Sequence, residues 1–232
     1  AVLVPRPAGA PARHQISYSN NWRNATREDV RQNLDPNNFM FDEKQLFQFL
    51  DLSKPSGATT GLLNKYLSGK GTLKNTGQAF IKAGELHGIN EIYLLSHALL
   101  ETGHGTSDLA KGIEVGKTQN GELKLVTSTN RGQLRDIKKV YNMFGIGAVD
   151  SCPRECGAKR AYEEGWTTPE KAIIGGAAFI GNNYIDAGQN TLYKMCWNPD
   201  AMAKNGRASH QYATDIGWAS KQLDSIYSIY QE

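Results

Sequence analysis

Residues 91–101 read Glu-Ile-Tyr-Leu-Leu-Ser-His-Ala-Leu-Leu-Glu, with apolar side chains on nearly every side. That pattern predicts a helix buried on most of its faces. Asn90 offers an N-cap, and Gly103 and Gly105 stop the helix directly after Glu101. Amphipathic or capped segments surround it. A short helix opens at Thr26, with Asp29 at capping-box spacing. Apolar positions at 41, 46, 47, 49, 50 and 52 predict a helix over 41–52. Further helices are expected over 59–67, ended by Gly69 and Gly71, and over 75–86, ended by Gly88. Between 113 and 141 the texture changes: Asn120-Gly121 is a hairpin signal flanked by Val115, Leu123 and Leu125, which predicts a small β-excursion. Thr168-Pro169-Glu170 then opens a long helix through Ile173, Ala177, Ile180 and Tyr184. Its Gly175, Gly176 and Gly181 leave room for a neighbouring helix. A last helix is expected over 212–230.

These elements add up to an α+β fold, mostly helical, with a small β-lobe inserted after the central helix. At 232 residues the chain can bury a proper core. Residues 1–15, rich in Pro, Ala and Arg without periodicity, read as a linker or a cloning remnant. Residues 16–70 read as an N-terminal helical extension, and 71–232 as the main domain with its β-lobe at about 113–141. A formal net charge of +3 is too weak to argue for nucleic acid but suits approach to an anionic polymer. No run approaches the length of a membrane-spanning helix, and no signal peptide is visible, so an exported protein would reach this form by processing or excision.

Glu101 is the leading chemical candidate. It lies in the last turn of the predicted helix, beside the negative end of the dipole and against apolar packing. Both influences favour a protonated carboxyl, which is what a general acid needs. An ordinary surface glutamate at a helix end is equally compatible with the local pattern. His97 and His104 flank Glu101, but they are seven apart with Gly103 between them, whereas a zinc-hydrolase helix carries its two histidines four apart. No metal and no other cofactor is expected. Cys152 and Cys156, four apart in a Pro- and Gly-containing stretch, can close a small disulfide loop, leaving Cys196 over.

Four segments carry a family resemblance: Ser96-His97-Ala98-Leu99-Leu100-Glu101-Thr102-Gly103, Tyr141-Asn142-Met143-Phe144-Gly145-Ile146, Asn190 to Pro199, and His210-Gln211-Tyr212-Ala213-Thr214-Asp215. In their order and spacing they resemble the glucosaminidase modules of bacterial autolysins, the family 73 glycoside hydrolases. The resemblance spans about 71–230. It implies a lysozyme-like fold, with a cleft between a helical body and a β-lobe. It also implies hydrolysis of the β-1,4 bond between N-acetylglucosamine and N-acetylmuramic acid in peptidoglycan. Glu101 matches the family's general acid.

The second group stays open among Glu122 at the hairpin tip, Asp150, and Glu114 as a weaker third, with a substrate-assisted route through the 2-acetamido group needing no protein nucleophile. Tyr212 matches a cleft tyrosine. Tyr141, Asn142 and Phe144 are expected to form the cleft floor, and Tyr184, Trp197 and Asn198 its further wall, by ring stacking and amide hydrogen bonds. Cys196 departs from the family, which tends to carry a basic residue there. The implied setting is a secreted, monomeric enzyme of a Gram-positive cell wall whose partner is the glycan strand, with no nucleic acid and no membrane insertion. A muramidase, a lytic transglycosylase or a non-catalytic wall-binding module on the same fold are the rival readings.

Overall fold

The computed structural model describes residues 13–18, 21–149 and 151–232. An antiparallel ribbon of β1 (Gln15–Tyr18) and β2 (Asn21–Asn24) precedes α1 (Arg27–Leu34). The Thr26 side chain accepts from the Asp29 amide and the Asp29 carboxylate accepts from the Thr26 amide, so the capping box forms at the start of α1. α2 (Thr60–Leu67), α3 (Gly77–His87), α4 (Glu91–Glu101) and the short α5 (Asp108–Lys111) follow. Next comes a three-stranded antiparallel sheet of β3 (Ile113–Lys117), β4 (Leu123–Leu125) and β5 (Arg135–Val140), with β3 in the middle. The chain closes with α6 (Pro153–Glu164), α7 (Pro169–Ile180), α8 (Leu192–Trp197), α9 (Pro199–Asn205) and α10 (Leu223–Tyr230). A π-helical turn, Gly181–Ile185, prolongs α7 and carries Tyr184.

The central helix forms as its pattern predicts. Every residue of α4 from Glu91 to Leu99 is buried, and the Asn90 side chain accepts from the Tyr93 amide at 2.9 Å. The carboxylate of Glu91 is buried as well, and its oxygens accept from the Ser56 amide, the Ser56 hydroxyl and the Ala58 amide, each at 2.8 Å. Three donors satisfy a buried charge that would otherwise be costly, and one of its partners' segments, 56–58, is thereby fastened to the start of α4. Leu52, Leu63 and Leu67 share one core with Leu94, Phe144 and Ile173, so residues 16–70 pack into the same body as the rest.

Several expectations are corrected. The stretch 41–52 forms a 3₁₀ turn at Gln45–Phe49 and no α-helix, and Phe41 is 97% exposed. Beyond it, the Leu52 amide donates to the Asn190 carbonyl and the Leu52 carbonyl accepts from the Asn90 amide, so long-range bonds claim the backbone a helix would use. The last helix is confined to Leu223–Tyr230, after a 3₁₀ turn at Ser220–Gln222. Upstream, Gln15 donates to the Thr214 carbonyl and accepts from the Ile216 amide, holding 214–216 extended beside β1. The stretch assigned to an N-terminal linker lies outside the described residues up to position 12, but Gln15 already belongs to β1. The extension after it opens with a β-ribbon before its helices. Cys152 and Cys156 are disulfide-bonded, not across a loop but across the first turn of α6, a helix the Pro and Gly content concealed. Of the three glycines expected to admit a neighbouring helix, Gly181 does lie against the end of α3, where a Cβ would be 3.7 Å from the His87 carbonyl oxygen. Gly176 and Gly175 instead admit side chains: a methyl at Gly176 would sit 2.3 Å from Phe144, and one at Gly175 2.1 Å from Trp166.

The turn after Glu101 is fixed by a close backbone crossing. A Cβ on Gly105 would lie 2.1 Å from the Lys70 carbonyl oxygen, and one on Gly71 2.3 Å from the Gly105 carbonyl oxygen. The Thr72 amide donates to that same Gly105 carbonyl at 3.1 Å, and the Thr102 hydroxyl accepts from the Gly105 amide at 2.8 Å. The helix end bearing the candidate acid is therefore clamped to the segment between α2 and α3.

Candidate active site

Glu101 sits at the C-terminal end of α4 with its side chain only 2% exposed. The indole Nε1–H of Trp218 donates to Glu101 Oε1 at 3.2 Å, and His97 Nε2 stands 3.6 Å from the same oxygen. Aromatic rings close the wall behind them. Tyr212 stacks on Trp218 with centroids 4.9 Å apart and meets the His97 ring edge-on at 4.6 Å. Phe144 meets His97 edge-on at 5.2 Å. Tyr184, on the π-helical turn, lies 4.9 Å from Tyr212 and stacks on His210 at 4.5 Å. Burial pushes the Tyr184 and Tyr212 phenols above their ordinary range, so both remain neutral donors.

The sequence candidates separate into three groups. Glu101, Tyr212, Phe144 and Tyr184 are brought together in one aromatic wall, linked by the Tyr212 hydroxyl donating to the Phe144 carbonyl at 3.0 Å. Asn142 is beside them but turned inward. Its amide nitrogen donates to the carbonyls of Ile146 and Gly157, and its oxygen accepts from the amides of Phe144 and Ile146. Its side-chain hydrogen bonds shape the 142–146 loop and tie it to α6, so it holds Phe144 in place. Tyr141 keeps a partly exposed ring, with the Lys139 ammonium 5.8 Å from its centroid.

Trp197, Asn198, Glu122 and Glu114 make their recorded contacts with residues outside that wall. Trp197 is not on a loop: it ends α8, is 1% exposed, and packs against His14. Asn198 takes a left-handed conformation between α8 and α9 and donates to the Ser209 carbonyl. Glu122 is exposed in the β3–β4 hairpin, 3.6 Å from the Lys124 ammonium, and Glu114 pairs with Arg131. Asp150 lies outside the described residues. Cys196 is buried, and its thiol is pushed up to about 12 by burial. His104 turns to the Lys70 ammonium at 3.3 Å, away from pairing with His97. Among the described residues no group of three or more His, Cys, Asp or Glu side chains could hold a metal ion, and no helix is long and apolar enough to cross a membrane.

Trp218 was not anticipated. Within an expected helix over 212–230 it counts as one more apolar position, and nothing local aims its N–H at a residue 117 positions earlier. What aims it is the segment's extended course. The buried Asp215 carboxylate accepts from the Gly217 amide at 2.9 Å and from the Lys221 ammonium at 2.6 Å, turning the chain directly before Trp218.

A carboxyl set in an aromatic wall at the end of a buried helix, in a mostly helical chain with a small antiparallel lobe, is the layout of a lysozyme-like glycoside hydrolase. The chain belongs to the glucosaminidase family, described as mannosyl-glycoprotein endo-beta-N-acetylglucosaminidase, whose model matches residues 77–231. It is 52% identical over 213 residues to a beta-N-acetylglucosaminidase of Bacillus subtilis, covering 90% of this chain and 21% of that protein. It is 47% identical over 211 residues to a bifunctional autolysin of Staphylococcus aureus, covering 91% of this chain and 16% of the relative. The chain thus spans about a fifth or less of the length of these relatives. Among solved structures, a catalytic glutamate-to-alanine mutant of S. aureus Autolysin E in complex with the disaccharide NAG-NAM is similar, with a TM-score of 0.73 and 34% identity over 97% of this chain and 86% of the other. The structure of a major bifunctional autolysin matches with a TM-score of 0.62 and 42% identity over 97% of this chain and 84% of the other.

Proposed function

We propose that this chain is an endo-β-N-acetylglucosaminidase that hydrolyses the β-1,4 bond between N-acetylglucosamine and N-acetylmuramic acid in peptidoglycan, serving wall remodelling or daughter-cell separation. The observation that carries this reading is Glu101, a side chain 2% exposed at the end of α4 and oriented by the Trp218 N–H, in a family with a relative solved as a glutamate mutant on NAG-NAM. Glu101 donates its proton to the glycosidic oxygen as the bond breaks. The carboxylate left behind then accepts the Trp218 N–H as a charge-assisted bond, stronger in the charged state than before transfer.

The second role falls to Glu122, carried on the β3–β4 hairpin with its side chain 62% exposed, to Asp150, or to the substrate's own acetamide. Tyr212 backs the site with its ring, and Tyr141 offers a partly exposed face to a sugar. The enzyme acts as a monomer outside the cell, on the wall, with neither cofactor nor nucleic acid.

Digestion of purified peptidoglycan, with reduced products identified by mass spectrometry, tests the bond cleaved. Reducible N-acetylglucosamine ends are expected. Reducible N-acetylmuramic ends would instead make the protein a muramidase, anhydro-muramic ends a lytic transglycosylase, and wall binding without products a binding module. Trp218→Phe keeps a ring in the wall and removes the donor, so kcat should fall about tenfold, the usual worth of one hydrogen bond to a charged group. KM should change little. A wild-type kcat in that variant would mean that the indole only fills space.

A further inference from the structure

His97 stands one turn before Glu101 on α4 and is fully buried. Its two ring nitrogens have separate neighbours: Nδ1 lies 2.9 Å from the Tyr93 hydroxyl, and Nε2 lies 3.6 Å from Glu101 Oε1. The second contact is too long for a hydrogen bond, and Nε2 is a buried nitrogen with no hydrogen-bond partner among the described residues. Among the described residues, the titratable groups around it are Tyr93 and Glu101 on its own helix, Tyr212 edge-on across from it, and Tyr184 behind Tyr212. Phe144 and Trp218 complete the enclosure. Burial holds the imidazole below its ordinary range against the opposing pull of Glu101, so the ring is neutral and carries a single N–H.

Which nitrogen bears that proton follows from the partners. Tyr93 is fully buried, and its hydroxyl finds its described partner in His97 Nδ1. With the proton on Nδ1, the buried hydroxyl hydrogen would have no acceptor there, and the Glu101 carboxylate left after proton transfer would face the Nε2 lone pair. With Tyr93 donating to Nδ1, both costs vanish and an N–H is aimed at Glu101.

We propose that His97 is a positioning residue for Glu101, held by the Tyr93 hydroxyl as the Nε2–H tautomer, and that this N–H closes onto the Glu101 carboxylate as the acid gives up its proton. The inference rests on the reading of Glu101 as general acid. A closure of about 0.6 Å converts the resting contact into an ordinary N–H···O bond. The bond exists only after proton transfer begins, so it lowers the barrier and not the energy of bound substrate. Trp218 orients the carboxyl at rest, and His97 receives its charge.

The first test needs no variant. In protein labelled with 15N-histidine, the ring nitrogen shifts of His97 should report the Nε2–H tautomer, and an Nδ1–H tautomer would overturn the proposal whatever Glu101 does. For kinetics, Tyr93→Phe keeps the ring and removes the hydroxyl. Its kcat should fall about tenfold, the scale of one charge-assisted hydrogen bond, with KM within about twofold. Its alkaline limb of kcat against pH should move upward, because the carboxylate has lost a stabilising donor. His97→Gln, which can present an N–H near the Nε2 position, should retain more activity than His97→Leu. Equal losses in those two with an unmoved pH limb, in proteins that melt as the wild type does, would reduce His97 to packing. Full activity in Glu101→Gln would instead remove the general-acid reading, and the tautomer spectrum keeps the two failures apart.

Discussion

Glu101→Gln is expected to lower kcat on purified peptidoglycan by about a thousandfold, within the usual worth of general acid catalysis. The substitution isolates the proton. A glutamine amide has the same shape, its oxygen can still accept the Trp218 N–H now bonded at 3.2 Å, and the aromatic wall behind it is undisturbed. What it lacks is an acidic hydrogen for the leaving oxygen. KM should therefore stay near the wild-type value and the melting temperature should hold or rise slightly, since catalytic carboxyls buried among rings are kept at some expense of stability. Glu101→Ala should lose as much activity and also some stability, because it leaves a void beside Trp218 and His97. Retention of a tenth of wild-type activity by the glutamine variant would place the acid elsewhere.

That candidate was legible because everything that defines it is local. The Asn90 cap, the apolar run from Ile92 to Leu100 and the stop at Gly103 are consecutive, and the helix they encode is the helix that forms. The hairpin read from Asn120-Gly121 and the cap read from Thr168-Pro169 formed for the same reason. The failures share the opposite cause. Trp218, which donates to Glu101, reaches it because β1 holds 214–216 extended through Gln15 and because Lys221 bonds Asp215. Residues 41–52 form only a 3₁₀ turn, and at their end Leu52 donates to the Asn190 carbonyl and accepts from the Asn90 amide. In both places partners far away in sequence claim the backbone, and no helical periodicity records them. Asn142 and Phe144 take their facing from α6 and α7, of which α6 was hidden behind its Pro and Gly residues.

Gly105→Ala should cost about 3 kcal/mol of stability, combining left-handed strain with a clash that backbone atoms cannot evade. Gly105 has a φ of 79°, and the added methyl would meet the Lys70 carbonyl oxygen at 2.1 Å and the Thr72 nitrogen at 3.1 Å. Neither is the end of a flexible side chain, so relief requires the 70–72 segment to move off the turn that follows Glu101. That movement would also weaken the hydrogen bond from the Thr72 amide to the Gly105 carbonyl. For a chain of this size the expected loss lowers the melting temperature by roughly 6–12 °C.

Gly188→Ala is the matched control: its φ is 90°, and no atom lies within 4 Å of the added methyl, so it carries the strain without the collision. It should cost about 1 kcal/mol. A melting temperature for Gly105→Ala no lower than that of the control would show that the crossing of the two backbones does not fix the turn. The kinetic consequence separates position from stability. Well below its melting temperature, Gly105→Ala should still have a reduced kcat, because Glu101 lies four residues before the displaced backbone and general acid catalysis falls steeply with misplacement of the donor. A stable but fully active variant would mean that the backbone of this turn does not set the position of the acid.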